Sequence, residues 1–205
     1  MIAIVDYGVG NIFSLYSSFG NIGTKAVLTS DADEIRSADK IILPGVGAFG
    51  DAAEKLKASG LADVVLEQAQ MGKPLLGICL GMQLLFEKSW EYGEHDGLGL
   101  IKGKVVTMEG VVPVGYKVPH IGWNSLLFPK EKAKSPLFRY IEEGDFVYFV
   151  HTYFGADCED SVIATTEYGA HLTAAVAKDN VYGVQFHPEK SGTVGMKILK
   201  GFIEL

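Results

Sequence analysis

Pro74-Leu75-Leu76-Gly77-Ile78-Cys79-Leu80-Gly81-Met82-Gln83 is the stretch on which the reading of the fold turns. Residues 74–78 form a short apolar run of the kind that makes a strand buried on both faces. A helical pattern, expected to run to about Lys88, follows at once. Cys79, bracketed by Gly77 and Gly81, therefore sits on a strand-to-helix turn. This is the layout of a nucleophile elbow, in which glycines clear room around an exposed, strained side chain. The helix N-terminus beyond it favours a thiolate, and the N–H of Leu80 is placed as an oxyanion donor. A structural cysteine packed between glycines is the competing reading of the same residues.

Working outward, Ile2 to Val5, Ala26 to Leu28 and Lys40 to Leu43 are further short apolar strands. Asp6-Tyr7-Gly8-Val9-Gly10 turns the chain after the first, and Asn11 is positioned to cap a helix running towards Phe19. Pro44-Gly45-Val46-Gly47 stops the third. Residues 50–71 carry helical periodicity broken by Gly60. Apolar strands alternating with helices imply a parallel sheet covered on both sides. In the second half, Val105 to Met108, Ile121 to Phe128, Phe146 to Val150 and Val162 to Thr166 are strand-like. Residues 174–186 read as a hairpin turning at Lys178-Asp179-Asn180, and a closing helix is expected over 194–203. The expectation is one α/β domain spanning 1–205, with a central mixed, largely parallel sheet flanked by helices.

Composition bounds the function. The 205 residues are 48% hydrophobic and 21% charged, ordinary for a soluble domain, with 25 scattered glycines. A net charge of -7 argues against a nucleic acid as main partner, since a polyanion selects a basic face. No signal peptide or membrane span is read from the sequence. Two cysteines make no disulfide framework and no cysteine-only zinc site, which points to a reducing cytoplasm. No two of the five histidines (95, 120, 151, 171, 187) share an i, i+4 helix spacing, so no metal is expected. No cofactor is expected either: Gly8-Val9-Gly10-Asn11-Ile12-Phe13 lacks the third glycine of a dinucleotide fingerprint, and no Walker A motif occurs. Cys158, between Asp157 and Glu159, is a poor nucleophile because neighbouring carboxylates disfavour its thiolate.

A second chemical element is Gln185-Phe186-His187-Pro188-Glu189. In an extended segment residues i and i+2 face the same way, so Glu189 is expected to orient His187, with Pro188 holding the pair extended. Alone, His-x-Glu is a weak signal. Joined to an elbow cysteine, it completes the nucleophile, base and orienter of covalent acyl transfer.

Gly77-Ile78-Cys79-Leu80-Gly81-Met82-Gln83 with Phe186-His187-Pro188-Glu189 resembles the triad-type (class I) glutamine amidotransferases. Within them the chain is similar, over nearly its whole length, to the glutaminase subunits of imidazole glycerol phosphate synthase. Residues 6–11, 44–49, 120–124 and 150–153 carry that narrower likeness. The resemblance implies flavodoxin-like layering and a reaction in which Cys79 attacks the glutamine side-chain amide, His187 passes a proton to ammonia and Glu189 orients His187. It further implies that Gln83, Glu91, Thr152 and Tyr153 hold glutamine, and that Val46 and Gly47 belong to an oxyanion strip that switches by a peptide flip. Ammonia would pass to a cyclase subunit in a heterodimer, through contacts at Asn11, Trp123, Asn124, Tyr148 and Lys190. From composition alone, Trp123 is equally a core or a half-exposed interface residue; the plain readings of Tyr148 and Lys190 are a residue on a strand face and a solvated lysine. A different synthase as partner (vitamin B6, anthranilate or purine synthesis) and a non-catalytic binding module are the rival readings.

Overall fold

The computed structural model describes residues 1–9 and 12–205. In chain order its elements are β1 (Ile2–Val5), α1 (Ile12–Ile22), β2 (Ala26–Thr29), α2 (Ala32–Ser37), β3 (Lys40–Leu43), α3 (Phe49–Ala58), α4 (Leu61–Gln70), β4 (Leu75–Ile78) and α5 (Leu80–Leu84). There follow β5 (Phe86–Ser89), β6 (His95–Asp96), β7 (Ile101–Thr107), β8 (His120–Ser125), β9 (Phe146–His151), β10 (Tyr153–Ala156), β11 (Val162–Glu167), β12 (His171–Lys178), β13 (Val181–Val184) and α6 (Gly192–Ile203). Among the described residues no helix is long and apolar enough to cross a membrane.

The main sheet has seven strands in the order β11-β12-β13-β4-β3-β1-β2. Strands β2, β1, β3, β4 and β13 run parallel, and β12 and β11 add antiparallel, so the expected mixed, largely parallel sheet is present. Alternation along the strands divides the core. Ala3, Val5, Ile41, Leu43 and Leu75 face a cluster with Ile35 of α2, Phe49 and Leu56 of α3, and Leu61 and Val65 of α4. Ile2, Ile4, Ile42, Leu76 and Ile78 face Leu15 and Phe19 of α1 and Ile198, Leu199 and Phe202 of α6. Each large side chain so buried contributes roughly 1.5–3 kcal/mol.

Gly60, at φ 74, separates α3 from α4 as the sequence pattern required. The helix after Cys79 is a correction. It ends at Leu84, and Phe86–Ser89 form a strand rather than further helical turns. The carbonyls of Leu84, Leu85 and Phe86 accept hydrogen bonds from Leu98, Ile101 and Gly99 at 2.8, 2.9 and 3.1 Å. This pairing with a distant segment outcompetes the local helix. Strands β10, β7, β5 and β6 form a second sheet, and β8 with β9 an antiparallel ribbon.

Parallel order fixes where chemistry can occur. Segments leaving β3, β4 and β13 emerge side by side, with Leu43 level with Gly77 and Ile78 level with Val184. Ligand sites in such sheets lie outside the carboxyl ends of the strands.

Candidate active site

Cys79 leaves the end of β4 at φ 54, ψ -111, a left-handed conformation that costs a residue with a Cβ about 1–3 kcal/mol. Its surroundings hold it there. The Cys79 N–H donates to Val184 O at 2.8 Å, tying the turn to β13. A Cβ on Gly77 would lie 2.5 Å from Gly81 O, and one on Gly81 only 1.8 Å from Leu43 O. The two glycines are therefore what lets the elbow close against β3. Leu80 opens α5, so its N–H has no carbonyl one turn earlier in that helix to bond.

His187 follows β13 by three residues. Its N–H donates to Tyr148 O at 2.9 Å, and Ser191 Oγ donates to its carbonyl at 2.6 Å. The imidazole Nδ1 meets Glu189 Oε1 at 2.7 Å, both side chains being 4% exposed. The pairing holds, but its expected geometry does not: Pro188–Lys190 is a 3-10 turn, not an extended segment. Proline suits the first position of such a turn because its φ is already helical and its missing N–H is not needed there. Burial by itself lowers the His187 pKa. Interactions with Cys79 and Glu189 outweigh it and carry the pKa up to about 9.

A cavity of about 340 Å³ joins Cys79 and His187 to Val46, Gly47, Leu80, Gln83, Glu91, Thr152, Tyr153 and Lys190. The structure thus brings together every residue expected to attack, stabilise or hold a substrate, with Glu189 behind His187. Glu91 also lies against α3. Its Oε2 accepts the Phe49 N–H at 2.7 Å, capping α3, and burial raises its pKa. Gly47 sits at φ 96, a conformation that favours glycine. A larger cavity of about 720 Å³ between α3, α4 and residues 91–98 shares Glu91 but contains no nucleophile of this set.

The expected partner contacts distribute differently. Trp123 is 54% exposed and packs edge-on against Tyr148 at 6.1 Å, so it is not a core residue. Lys190 is exposed at the cavity rim. The Asn124 amide has internal partners, donating to Glu167 O at 2.8 Å and accepting from the Ser125 N–H at 2.8 Å. Asn11 lies outside the described residues. Cys158 is buried and its pKa raised to about 11, chiefly by burial, with the flanking carboxylates a lesser cause than the sequence suggested.

Several residues of the site had no assigned role from sequence. Tyr7 Oη donates to Pro44 O at 2.7 Å and pins the base of the Pro44–Gly47 strip. Burial, then the nearby Cys79, pushes the Tyr7 pKa strongly upward, so it stays a donor. His151 contacts Tyr153 O through Nδ1 at 2.9 Å, and its Nε2 lies 3.1 Å from His120 Nδ1. A carbonyl only accepts, so His151 Nδ1 carries a hydrogen and His120 Nδ1 must be the donor to His151. Burial lowers both pKa values to about 4, keeping the pair neutral. Gln185 is the fourth such residue. Only the motif position, not the role, was visible for any of them.

The family model for glutamine amidotransferase class-I matches residues 3–205. The chain is 50% identical to imidazole glycerol phosphate synthase subunit HisH of Caldanaerobacter subterraneus, covering 100% of this chain and 98% of that one. It is 52% identical to the same subunit of Sulfurimonas denitrificans, over 98% and 97%. A crystal structure of a glutamine amidotransferase superposes with a TM-score of 0.76 at 18% identity, over 100% and 98% of the two chains, a likeness of fold. With the family model matching residues 3–205 and relatives about half identical over nearly their whole length, the chain belongs to the class-I glutamine amidotransferases and, among them, to the HisH family.

Proposed function

We propose that the chain is the glutamine-hydrolysing subunit of an imidazole glycerol phosphate synthase, releasing ammonia for a cyclase subunit with which it forms a heterodimer. Cys79 gives its thiol proton to His187, and its Sγ attacks the side-chain carbonyl carbon of glutamine. The oxyanion is met by N–H groups of Leu80 and of the Val46–Gly47 strip. His187 then protonates the leaving nitrogen, and ammonia departs. Water, deprotonated by His187, attacks the thioester carbon and expels the Cys79 thiolate with glutamate as product. Glu189 holds the imidazole orientation and stabilises its charged form. Gln83, Glu91, Thr152 and Tyr153 are read as the glutamine contacts, and Trp123, Tyr148 and Lys190 as the rim facing the cyclase. The cyclase would use the ammonia to make imidazole glycerol phosphate and an aminoimidazole carboxamide ribonucleotide, and the complex would work in the cytoplasm.

The observation that carries this reading is the strained Cys79 in one cavity with a His187 raised to a pKa of about 9. The test is glutamine hydrolysis by the chain alone and with a cyclase subunit carrying its nucleotide ligand. Strong activity in the complex, abolished by Cys79→Ala while ammonia-dependent cyclisation persists, is the expected result. Hydrolysis that survives Cys79→Ala would overturn it.

A further inference from the structure

Gln185 is fully buried, at 0% exposure, one residue beyond β13 and two before His187. A buried primary amide must satisfy both an oxygen and an NH2 group. Its backbone N–H donates to Ala174 O at 2.8 Å, which fixes the main chain. Its side chain turns toward the elbow. Oε1 accepts from Gln83 Nε2 at 3.0 Å, and Nε2 donates to Cys79 Sγ at 3.7 Å.

The direction of this chain follows from its far end. Gln83 Nε2 also donates to Tyr153 O at 3.1 Å, and a backbone carbonyl only accepts. Gln83 must therefore present its nitrogen there, and both its hydrogens are committed, one to Tyr153 and one to Gln185. Gln185 must in turn present its oxygen to Gln83. Its NH2 is left facing the sulfur, because a flipped amide would set NH2 against NH2 and oxygen against sulfur.

We propose that Gln185 is a catalytic residue, its amide N–H donating to Cys79 Sγ to hold and stabilise the thiolate, with Gln83 fixing its orientation. The inference rests on the reading of Cys79 as the nucleophile. A hydrogen bond to a thiol sulfur is weak, and one to a thiolate is charge-assisted and stronger. The same donor serves twice: it raises the fraction of sulfur ready to attack, and it stabilises the thiolate expelled when water cleaves the thioester. The role also leaves Gln83 Oε1, not its NH2, to receive a donor from the substrate.

The test is the rate at which iodoacetamide alkylates Cys79 in the full chain at pH 7 and pH 10, mapped by mass spectrometry, for wild type and Gln185→Met. At pH 7 the variant should react about tenfold more slowly, the scale of one hydrogen bond to a charged group. At pH 10 the gap should close. In glutamine hydrolysis kcat should fall about tenfold or more. Should Gln185→Met fail to fold, Gln185→Glu keeps the Gln83 contact, sets an acceptor against the sulfur, and should be slower still at pH 7. Equal rates at pH 7, or an equal loss at both pH values, overturn the role of Gln185. A wild-type Cys79 that resists alkylation at both pH values instead removes the nucleophile on which the inference stands.

Discussion

Gly81→Ala tests whether the spacing between the elbow and the oxyanion strip is set by one missing methyl group. The added Cβ would lie 1.8 Å from Leu43 O, 2.7 Å from Leu43 C and 3.2 Å from Pro44 C, whereas real Cβ contacts essentially never fall below 3.0 Å. All three neighbours are backbone at the end of β3, so no side chain can swing aside. The gap between α5 and the Leu43–Pro44 peptide must open by about 1.2 Å. Overpacking of this kind costs typically 1–3 kcal/mol. In a chain of this length about 2 kcal/mol lowers Tm by roughly 4–8 °C. The catalytic consequence is larger, because the strip that begins at Pro44 moves relative to Cys79. A 1 Å misplacement costs about a hundredfold in rate. Thermal unfolding and kcat/KM for glutamine hydrolysis, measured side by side on the complex, check both. Wild-type activity in a stable Gly81→Ala protein would refute the claim that the β3–elbow contact sets the geometry of the site.

Glu189→Gln preserves an acceptor for His187 Nδ1 but removes the charge of a pair only 4% exposed. It should lower kcat/KM about 10- to 100-fold and shift the activity profile to lower pH, since the imidazolium loses part of what holds its pKa near 9; an unchanged profile contradicts the orienting role. Stability should peak near pH 6.5. Below it the unfolded chain protonates His120 and His151 while the native pair stays neutral to about pH 4, so stability falls as pH falls through that window. Above it His187 keeps its proton in the native state to about pH 9, and that contribution is lost as pH rises through the same window. Urea unfolding at pH 4.5, 6.5 and 9 reads this, and a flat series contradicts it. Tyr7→Phe leaves the Pro44 carbonyl without its 2.7 Å donor and should cost about 1–2 kcal/mol with a several-fold loss of hydrolysis; no change in either would free the strip from Tyr7.

The elbow was legible because its constraints are local. A strand, two glycines and a cysteine in ten residues leave few other backbones, and Cys79 at φ 54 is the outcome. His187 and Glu189 were legible as a pair but not as a shape, since proline is equally compatible with extended chain and with the first position of a 3-10 turn. Phe86–Ser89 was misread as helix because the four residues Phe-Glu-Lys-Ser carry no decisive period, and its partner strand lies at residues 101–105. Tyr7, His120, His151 and Gln185 all sat in quoted motifs, yet their roles arise from contacts 2.7 to 3.7 Å long with residues 31 to 106 positions away, or with a neighbour two residues on across a strand break. No reading along the chain supplies those distances. Burial likewise proved the main influence on Cys158, and burial is a tertiary quantity.

The most direct test of the account is to trap the acyl-enzyme. The complex is mixed with glutamine, quenched in acid within a turnover, and digested for mass spectrometry. A glutamyl thioester on the peptide carrying Cys79, absent from Cys79→Ser, is the predicted result. Ammonia released without any adduct on Cys79, or released undiminished by Cys79→Ser, would contradict it.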